Sequence, residues 1–126
     1  MILKGKTILI VDDDERNVFA LSAVLKTTGP EIITATDGID CIAKLRLHPN
    51  IDLVLLDMMM PDMDGYQTIN VIRKDDSLKH LPIISLTALA MSGDMEKCIE
   101  IGANDYCSKP VDFKILLSKI KTLLSL

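Results

Sequence analysis

Residues 53 to 65 read LVLLDMMMPDMDG, and this stretch decides the fold class. Its first four residues are apolar, the run ends in Asp57, and Pro61 and Gly65 then favour a turn. An uninterrupted apolar run is typical of a strand buried on both faces of a parallel sheet. A carboxylate at the tip of such a strand is costly unless a neighbouring group uses it. Asp57 is therefore the first candidate for a functional residue.

Short apolar runs alternate with amphipathic segments along the rest of the chain. Their periodicity predicts five strands, at residues 7–11, 31–35, 52–56, 82–86 and 104–108. A helix is predicted after each strand, beginning near Asp14, Asp37-Gly38, Gly65, Ser92 or Asp94, and Phe113. The same pattern predicts that these helices end near Gly29, His48, Lys74, Gly102 and Leu124.

Five strands that alternate with five helices predict an α/β protein whose parallel sheet is covered on both faces. Right-handed crossovers favour a flavodoxin-like (βα)5 three-layer sandwich, with the strands in the order 2-1-3-4-5. At 126 residues we expect one domain that spans residues 1–126, without an effector domain. Ligands of such sheets bind beyond the carboxyl ends of the strands, where strands 1 and 3 meet.

Composition and charge exclude several classes of function. A net charge of −4 offers no electrostatic footprint for direct binding to nucleic acid. No apolar run reaches the ~18 residues of a membrane span, and the N-terminus lacks a signal-peptide cleavage pattern. We therefore expect a cytoplasmic protein that does not bind membranes. The three cysteines, Cys41, Cys98 and Cys107, lack CxxC spacing and are expected to be reduced core or surface residues.

Polar side chains follow four of the five predicted strands, in the order Asp12 and Asp13, Asp57, Thr87, and Lys109-Pro110. The carboxyl ends of parallel strands share one edge of the sheet, so these side chains are expected to converge. Three carboxylates there would repel one another by ~3 kcal/mol per pair at ~5 Å, so either protons remain bound or a cation lies among them. Such oxygen ligands suit Mg²⁺, with Thr87 and Lys109 on the opposite side of a pocket for a phosphoryl group.

Four motifs in this order resemble the receiver domain of two-component signalling. They are ILIVDDD (8–14), LVLLDMMMPDMDG (53–65), SLTALA (85–90) and ANDYCSKP (103–110). The resemblance covers essentially the whole chain. It implies a signalling domain that takes a phosphoryl group from a phosphohistidine, with Mg²⁺ (or Mn²⁺) as cofactor.

The resemblance also implies which residues bind the metal and accept the phosphoryl group. Asp57 resembles the phosphoacceptor and is also a metal ligand. Asp13 resembles a direct metal ligand, and Asp12 one that acts through water. The backbone carbonyl of Met59 would complete the protein's share of the ligands.

The resemblance also implies which residues bind the phosphoryl group and which respond to it. Lys109 looks like the lysine that pairs with the phosphate, and its peptide bond to Pro110 is expected to be cis. Thr87 and the backbone of Ala88 would contact the phosphoryl oxygens. Thr87 and Tyr106 resemble the switch pair, in which the hydroxyl moves toward the phosphoryl group and the ring turns inward.

The partners implied by the resemblance are proteins. The donor would be a histidine kinase or a histidine phosphotransfer domain. A downstream protein would bind the face made by helix 4, strand 5 and helix 5, and the chain would be a monomer or a phosphorylation-dependent dimer. The stretch AMSGDMEKCIEIGANDYCSKP (90–110) looks most like the receiver of a hybrid sensor histidine kinase, with a single-domain response regulator as the other context.

Three other functions fit parts of the sequence. Asp12 and Asp14 begin the DxDx[TV] signature of haloacid-dehalogenase-type phosphatases, as nucleophile and general acid, but Arg16 occupies the position of Thr or Val. A non-phosphorylated pseudo-receiver that only binds partners is a second alternative. A flavodoxin is disfavoured because DDDE after the first strand would repel the flavin phosphate. We expect an acceptor domain and no turnover enzyme.

The sequence departs from a water-positioning pattern at two places. Met59 and Leu89 stand two residues beyond Asp57 and Thr87, and both are apolar. Polar side chains there could position a hydrolytic water, so slow autodephosphorylation is our hypothesis. A time course of phosphate release measures it, and loss of the phosphoryl group within seconds would contradict it.

Overall fold

In a computed structural model of the protein, strands and helices alternate along the described residues, which are 1–88 and 92–126 without the side chain of Ser92. The strands are β1 (Thr7–Val11), β2 (Glu31–Ala35), β3 (Leu53–Asp57), β4 (Ile83–Thr87) and β5 (Asp105–Ser108). The helices are α1 (Glu15–Lys26), α2 (Gly38–Leu47), α3 (Gly65–Lys74), α4 (Ser92–Ile101) and α5 (Phe113–Leu123). The predicted order of elements is confirmed.

All five strands are parallel and lie in the order β2-β1-β3-β4-β5. This is the predicted flavodoxin-like topology, in which the order of adding strands reverses at β1: β2 lies on one side of β1, and β3 to β5 follow on the other. Val11 of β1 pairs with Leu56 of β3. The next residue on each strand is Asp12 or Asp57, so the register brings these two carboxylates to the same edge of the sheet.

The core consists of two apolar layers, one on each face of the sheet. One layer joins Leu9, Val11, Val54 and Leu56 to residues of α2, α3 and α4, such as Leu45, Ile69 and Cys98. The other joins Ile8, Ile10, Leu53 and Leu55 to residues of α1 and α5, such as Leu25 and Ile120. Every residue of β1 and β3 is buried, which is why both strands read as continuous apolar runs.

Aspartates begin four of the helices. Asp14, Asp37 and Asp112 accept hydrogen bonds from backbone N–H groups in the first turns of α1, α2 and α5. Asp64 and Gln67 form a reciprocal capping box at the start of α3. These bonds satisfy donors that a helix terminus leaves unpaired. The helix starts predicted from Asp14 and Asp37 are confirmed.

Two strands and one helix end at positions that differ from the predictions. Asp57 and Thr87 are the last residues of β3 and β4, one residue beyond the predicted ends. The ladder extends because the Met58 N–H donates to the Leu86 carbonyl at 3.1 Å and the Lys109 N–H donates to the Thr87 carbonyl at 2.8 Å. α1 ends at Lys26 and does not reach Gly29.

Two threonines account for the early end of α1. The hydroxyls of Thr27 and Thr28 donate to the carbonyls of Val24 and Leu25, each at 2.6 Å. The same two carbonyls accept the backbone N–H groups of Thr27 and Thr28 at 3.2 and 2.9 Å, so the last turn closes with bonds three residues apart. Gly29 then turns the chain toward β2 with a φ of +97°, a conformation that favours glycine.

Arg73 at the end of α3 forms hydrogen bonds to two other segments of the chain, the connection before β4 and the turn between α4 and β5. Its guanidinium donates to the carbonyls of Gly102, Lys79 and Leu81 at 2.8–2.9 Å, and to the side-chain oxygen of Asn104 at 2.9 Å. Burial lowers the pKa of Arg73. The connection before β4 and the turn between α4 and β5 are thus held to α3 by one side chain, which the sequence analysis did not identify.

All three cysteines lie in the core of the protein. Cys41, Cys98 and Cys107 are buried and form no disulfide. Burial raises the pKa of Cys41 to about 12, so its thiol stays protonated at neutral pH. Among the described helices, none combines the length and the apolar character that a membrane span requires.

Candidate functional site

Three carboxylates converge at the carboxyl edge of the sheet. One oxygen from each of Asp12, Asp13 and Asp57 lies within 4.8 Å of the other two. Asp12 and Asp57 are 4% and 3% exposed, whereas Asp13 is exposed. Asp12 and Asp13 follow β1, and Asp57 ends β3. The edge therefore carries two buried carboxylates and one that reaches solvent.

Backbone donors orient the two buried carboxylates. The Asp14 N–H donates to Asp12 Oδ1 at 2.9 Å, and the Met59 N–H donates to Asp57 Oδ1 at 3.2 Å. Both donors belong to the loop that follows the carboxylate on its own strand. Such bonds restrict the rotamer of each carboxylate.

Lys109, directly after β5, brings a positive charge to the carboxylates. Its Nζ lies 3.1 Å from Asp12 Oδ2 and 3.2 Å from Asp57 Oδ1. The Lys109–Pro110 peptide bond is cis. The ammonium lies between two carboxylates because both attract it.

The site combines opposing electrostatic effects. Burial raises the pKa of Asp57, and the nearby charge of Asp12 raises it further, whereas the Met59 N–H and the Lys109 ammonium act to lower it. The net pKa of Asp57 is raised. Burial acts to lower the pKa of Lys109, but the attraction of Asp57 and Asp12 outweighs it, and this pKa is raised too. Lys109 thus stays protonated at neutral pH, and its ammonium only partly offsets the effect of burial and of Asp12 on Asp57.

Thr87 and Ala88 lie at the end of β4, next to Asp57. Leu86 pairs with Asp57 across β3 and β4, and Thr87 is one residue further toward the edge. Thr87 is buried and Ala88 is exposed. Tyr106 lies one strand further out, where it pairs with Ser85. The structure thus brings Thr87 to the carboxylates and leaves Tyr106 on the neighbouring strand.

The methionines after Asp57 divide between core and surface. Met58 and Met60 are buried in the core, whereas Met59 is 56% exposed. Gly65 packs against this loop so tightly that a Cβ at its position would lie 2.6 Å from the Met58 Cα. Glycine at position 65 is therefore required for the close approach of the loop to α3. Leu89, the other apolar position in the autodephosphorylation hypothesis, lies outside the described residues.

The donor set suits a small, hard cation. All three acidic side chains offer oxygen, and the Met59 carbonyl belongs to the same loop as the Asp57 side chain. Oxygen ligands on a rigid edge, with room for water and phosphate, are the kind of site that Mg²⁺ prefers. A divalent ion would also offset the repulsion among the carboxylates.

Asp14 is unsuited to the role of general acid in the phosphatase alternative. Its side chain accepts hydrogen bonds from the side chain and the backbone N–H of Arg16, and both lower its pKa. It also caps α1. A carboxylate held in its ionised form at a helix N-terminus has no proton to donate at neutral pH. The geometry therefore disfavours the reading in which Asp12 is the nucleophile.

Comparison with known proteins identifies similar sequences. A family model described as the response regulator receiver domain matches residues 8–121. The response regulator PleD of Caulobacter vibrioides is 38% identical over 116 residues, 92% of this chain and 25% of PleD. The polar-differentiation response regulator DivK of Brucella anthropi is 33% identical over 119 residues, 94% of this chain and 96% of DivK. This chain thus spans a quarter of PleD but nearly all of DivK.

A solved structure extends the similarity to three dimensions. The receiver domain of the sensor histidine kinase PA1611 from Pseudomonas aeruginosa PAO1 has a TM-score of 0.88 and 32% sequence identity. The match covers 97% of this chain and 99% of that chain. That structure holds a magnesium ion coordinated in its active site cleft.

Proposed function

This chain belongs to the response regulator receiver domain family, and on that premise we propose that Asp57 accepts a phosphoryl group from a phosphohistidine. The observation that carries the proposal is the cluster of Asp12, Asp13 and Asp57 with the Lys109 ammonium bonded to two of the three. The donor is a histidine kinase or a histidine phosphotransfer domain. The chain is an acceptor that switches state, and no turnover enzyme.

The reaction exchanges one bond to phosphorus for another. An oxygen of Asp57 attacks the phosphorus, a P–O bond forms, and the P–N bond to the donor imidazole breaks. The imidazole leaves with the electron pair and binds a proton from solvent, and Asp57 becomes an acyl phosphate. Burial of the Asp57 side chain at the end of β3 fixes the nucleophile in position.

Each neighbouring residue has a proposed role in this transfer. Asp12, Asp13, Asp57 and the Met59 carbonyl would hold Mg²⁺ (or Mn²⁺), with Asp13 as a direct ligand and Asp12 acting through water. When bound, the ion neutralises charge on the transferring phosphoryl group. Lys109 pairs with a phosphoryl oxygen.

Residues at the end of β4 are proposed to contact the phosphoryl oxygens on the side away from the metal. The Thr87 hydroxyl and the Ala88 backbone N–H are proposed to donate to its oxygens, since both follow the residue that pairs with Asp57. Thr87 and Tyr106 form the switch pair in this proposal. Movement of the Thr87 hydroxyl toward the phosphoryl group favours an inward turn of the Tyr106 ring.

The surroundings of α1 support an approach of the donor from that side. Two grooves of about 290 and 350 Å³ flank α1, and Asp12 belongs to the wall of each. Phe19 on α1 is 76% exposed. An exposed aromatic ring beside the reactive edge is a common feature of protein interfaces. We assign this side to the phosphodonor.

The downstream partner is assigned to the face of α4, β5 and α5. Ile99 of α4 and Ile115 of α5 are exposed, and a groove of about 470 Å³ lies between α4 and Tyr106. Apolar side chains of this kind fit a transient protein partner. A cytoplasmic location, and a chain that is a monomer or a phosphorylation-dependent dimer, belong to the same proposal.

Site-specific phosphorylation tests the function directly. The chain is incubated with acetyl phosphate and Mg²⁺, and intact mass spectrometry is expected to show one added phosphoryl group. Reduction with borohydride followed by peptide mapping should place it on Asp57, and EDTA should prevent it. Labelling of Asp12 would support the phosphatase alternative. A chain that gains no phosphoryl group from acetyl phosphate or from any phosphohistidine protein would be the non-phosphorylated alternative.

A further inference from the structure

Lys119 of α5 contacts both the backbone and the ring of Tyr106. Its Nζ donates to the Tyr106 carbonyl at 2.6 Å and lies 4.7 Å from the centroid of the Tyr106 ring. The same ammonium pairs with Asp105 Oδ1 at 3.0 Å. An ammonium has three N–H donors, so two oxygens leave one N–H for the ring face. One side chain thus holds two consecutive residues of β5.

In this position the Tyr106 ring lines a surface groove beside α4. Met95, Ile99 and Tyr106 belong to the lining of this groove, and the ring is partly exposed. Lys119 is itself largely covered, with 25% of its side chain exposed. A cation that is partly desolvated interacts more strongly with a ring face than one in bulk water.

The other side of Tyr106 faces β4. Tyr106 pairs with Ser85, and Ser85 and Thr87 alternate to the same face of that strand. Ser85 is fully buried, and its hydroxyl has no hydrogen-bond partner among the described residues. A serine presents little bulk, so a ring that turns toward Thr87 meets less resistance there than a leucine or isoleucine would offer.

We propose that Lys119 is a positioning residue that holds the Tyr106 ring in its outward position before phosphorylation. The inference rests on the switch role of Thr87 and Tyr106 proposed above. In the outward position the ammonium contacts the ring face, the Tyr106 carbonyl and the Asp105 carboxylate together. An inward turn separates the ring from the ammonium, whereas the two oxygen contacts, which involve atoms outside the ring, persist. The cation–ring contact therefore favours one state over the other.

This difference makes Lys119 a determinant of phosphoryl affinity without any contact with Asp57. A ligand that binds one state better must overcome whatever stabilises the other state. Because coupling between sites is reciprocal, removal of the contact favours the inward ring and strengthens binding at the phosphoryl site equally. From the strength of cation–π contacts we expect an effect of about three- to tenfold.

Tyrosine NMR and beryllofluoride binding test the inference together. The chain contains two tyrosines, so ring-¹³C labelling yields one signal from Tyr66 and one from Tyr106. In Lys119→Met, the Tyr106 signal of the free protein is expected to move toward its position in the wild-type complex with beryllofluoride and Mg²⁺. The same variant should bind beryllofluoride about three- to tenfold more tightly than the wild type.

Two further variants separate the cation–ring contact from other effects of charge. Lys114→Met removes an exposed lysine of the same helix and is expected to leave the Tyr106 signal and the affinity unchanged. Lys119→Arg keeps a cation and should stay within about twofold of the wild type. If Lys119→Arg shifts as far as Lys119→Met, or if Lys119→Met matches the wild type in both readouts, the inference is wrong.

The test also distinguishes this inference from the proposed function. A wild-type chain that does not bind beryllofluoride in the presence of Mg²⁺ would overturn the phosphoacceptor role of Asp57. The free-state spectra of the wild type and of Lys119→Met would still decide whether Lys119 holds the ring. Circular dichroism confirms that each variant is folded before the comparison.

Discussion

Replacement of Asp57 by Asn is expected to lower phosphorylation by acetyl phosphate more than about 1000-fold, because the amide oxygen is not a competent nucleophile. The shape of the side chain is kept, and its oxygen still accepts the bond from the Met59 N–H that Asp57 Oδ1 accepts now. The loss would therefore report chemistry and not a disturbed fold. Intact mass spectrometry after incubation with Mg²⁺ and acetyl phosphate measures it.

Asp12→Asn is the matched control for this prediction. Asp12 and Asp57 are similarly buried, and both contact Lys109. The variant loses a proposed metal ligand, so phosphorylation should slow and need more Mg²⁺, but the phosphoryl group should still appear on Asp57. Normal labelling of the Asp57→Asn chain, or complete loss in Asp12→Asn alone, would contradict the assignment of the nucleophile.

The same Asp57→Asn variant should be more stable than the wild type at neutral pH when Mg²⁺ is withheld. Burial raises the pKa of Asp57 above the ordinary value of 3.8, so the folded state binds this proton more tightly than the unfolded state. The contribution of this group to the free energy of unfolding therefore falls as pH rises from 3.8 through the raised pKa. Thermal unfolding at several pH values should show a higher melting temperature for the variant than for the wild type at pH 7. The difference between the two melting temperatures should become smaller as the pH is lowered.

Replacement of Arg73 by Met is expected to destabilise the fold by about 1–3 kcal/mol, since two partly buried carbonyls and two exposed acceptors lose a charged donor. The three carbonyls and the Asn104 side chain that it contacts belong to two different connections. Asn104 also accepts a bond from the Ile83 N–H at 2.8 Å, at the start of β4. Urea unfolding followed by circular dichroism measures the change.

Arg46→Met is the matched control for Arg73. Arg46 pairs with Asp75 at 3.2 Å, but its side chain is 64% exposed. An exposed ion pair contributes less than about 1 kcal/mol, so this variant should lose little stability. Equal losses in the two variants would show that the four hydrogen bonds of Arg73 do not contribute the expected free energy.

Local chemistry explains which parts of the fold the sequence predicted well. Strands buried on both faces are apolar at most positions, so LVLL before Asp57 is recognisable as a strand without knowledge of its neighbours. Aspartates such as Asp14 and Asp37 mark helix starts because their side chains bond the nearest backbone donors. The ends of β3 and β4 were one residue off because ladder bonds at the edge come from distant segments, such as the Lys109 N–H that bonds Thr87.

The amino-acid sequence by itself determined the parallel α/β fold and the edge of the sheet where the acidic residues meet, because strand patterning reflects local burial and right-handed crossovers restrict the strand order. Only the tertiary structure decided which partners the long side chains contact, at this edge and elsewhere. The Lys109 ammonium meets Asp12 across 97 positions of sequence, Arg73 reaches Gly102, and Lys119 covers the Tyr106 ring. Long flexible side chains can reach many partners, and the one that they bind depends on how the helices pack onto the sheet.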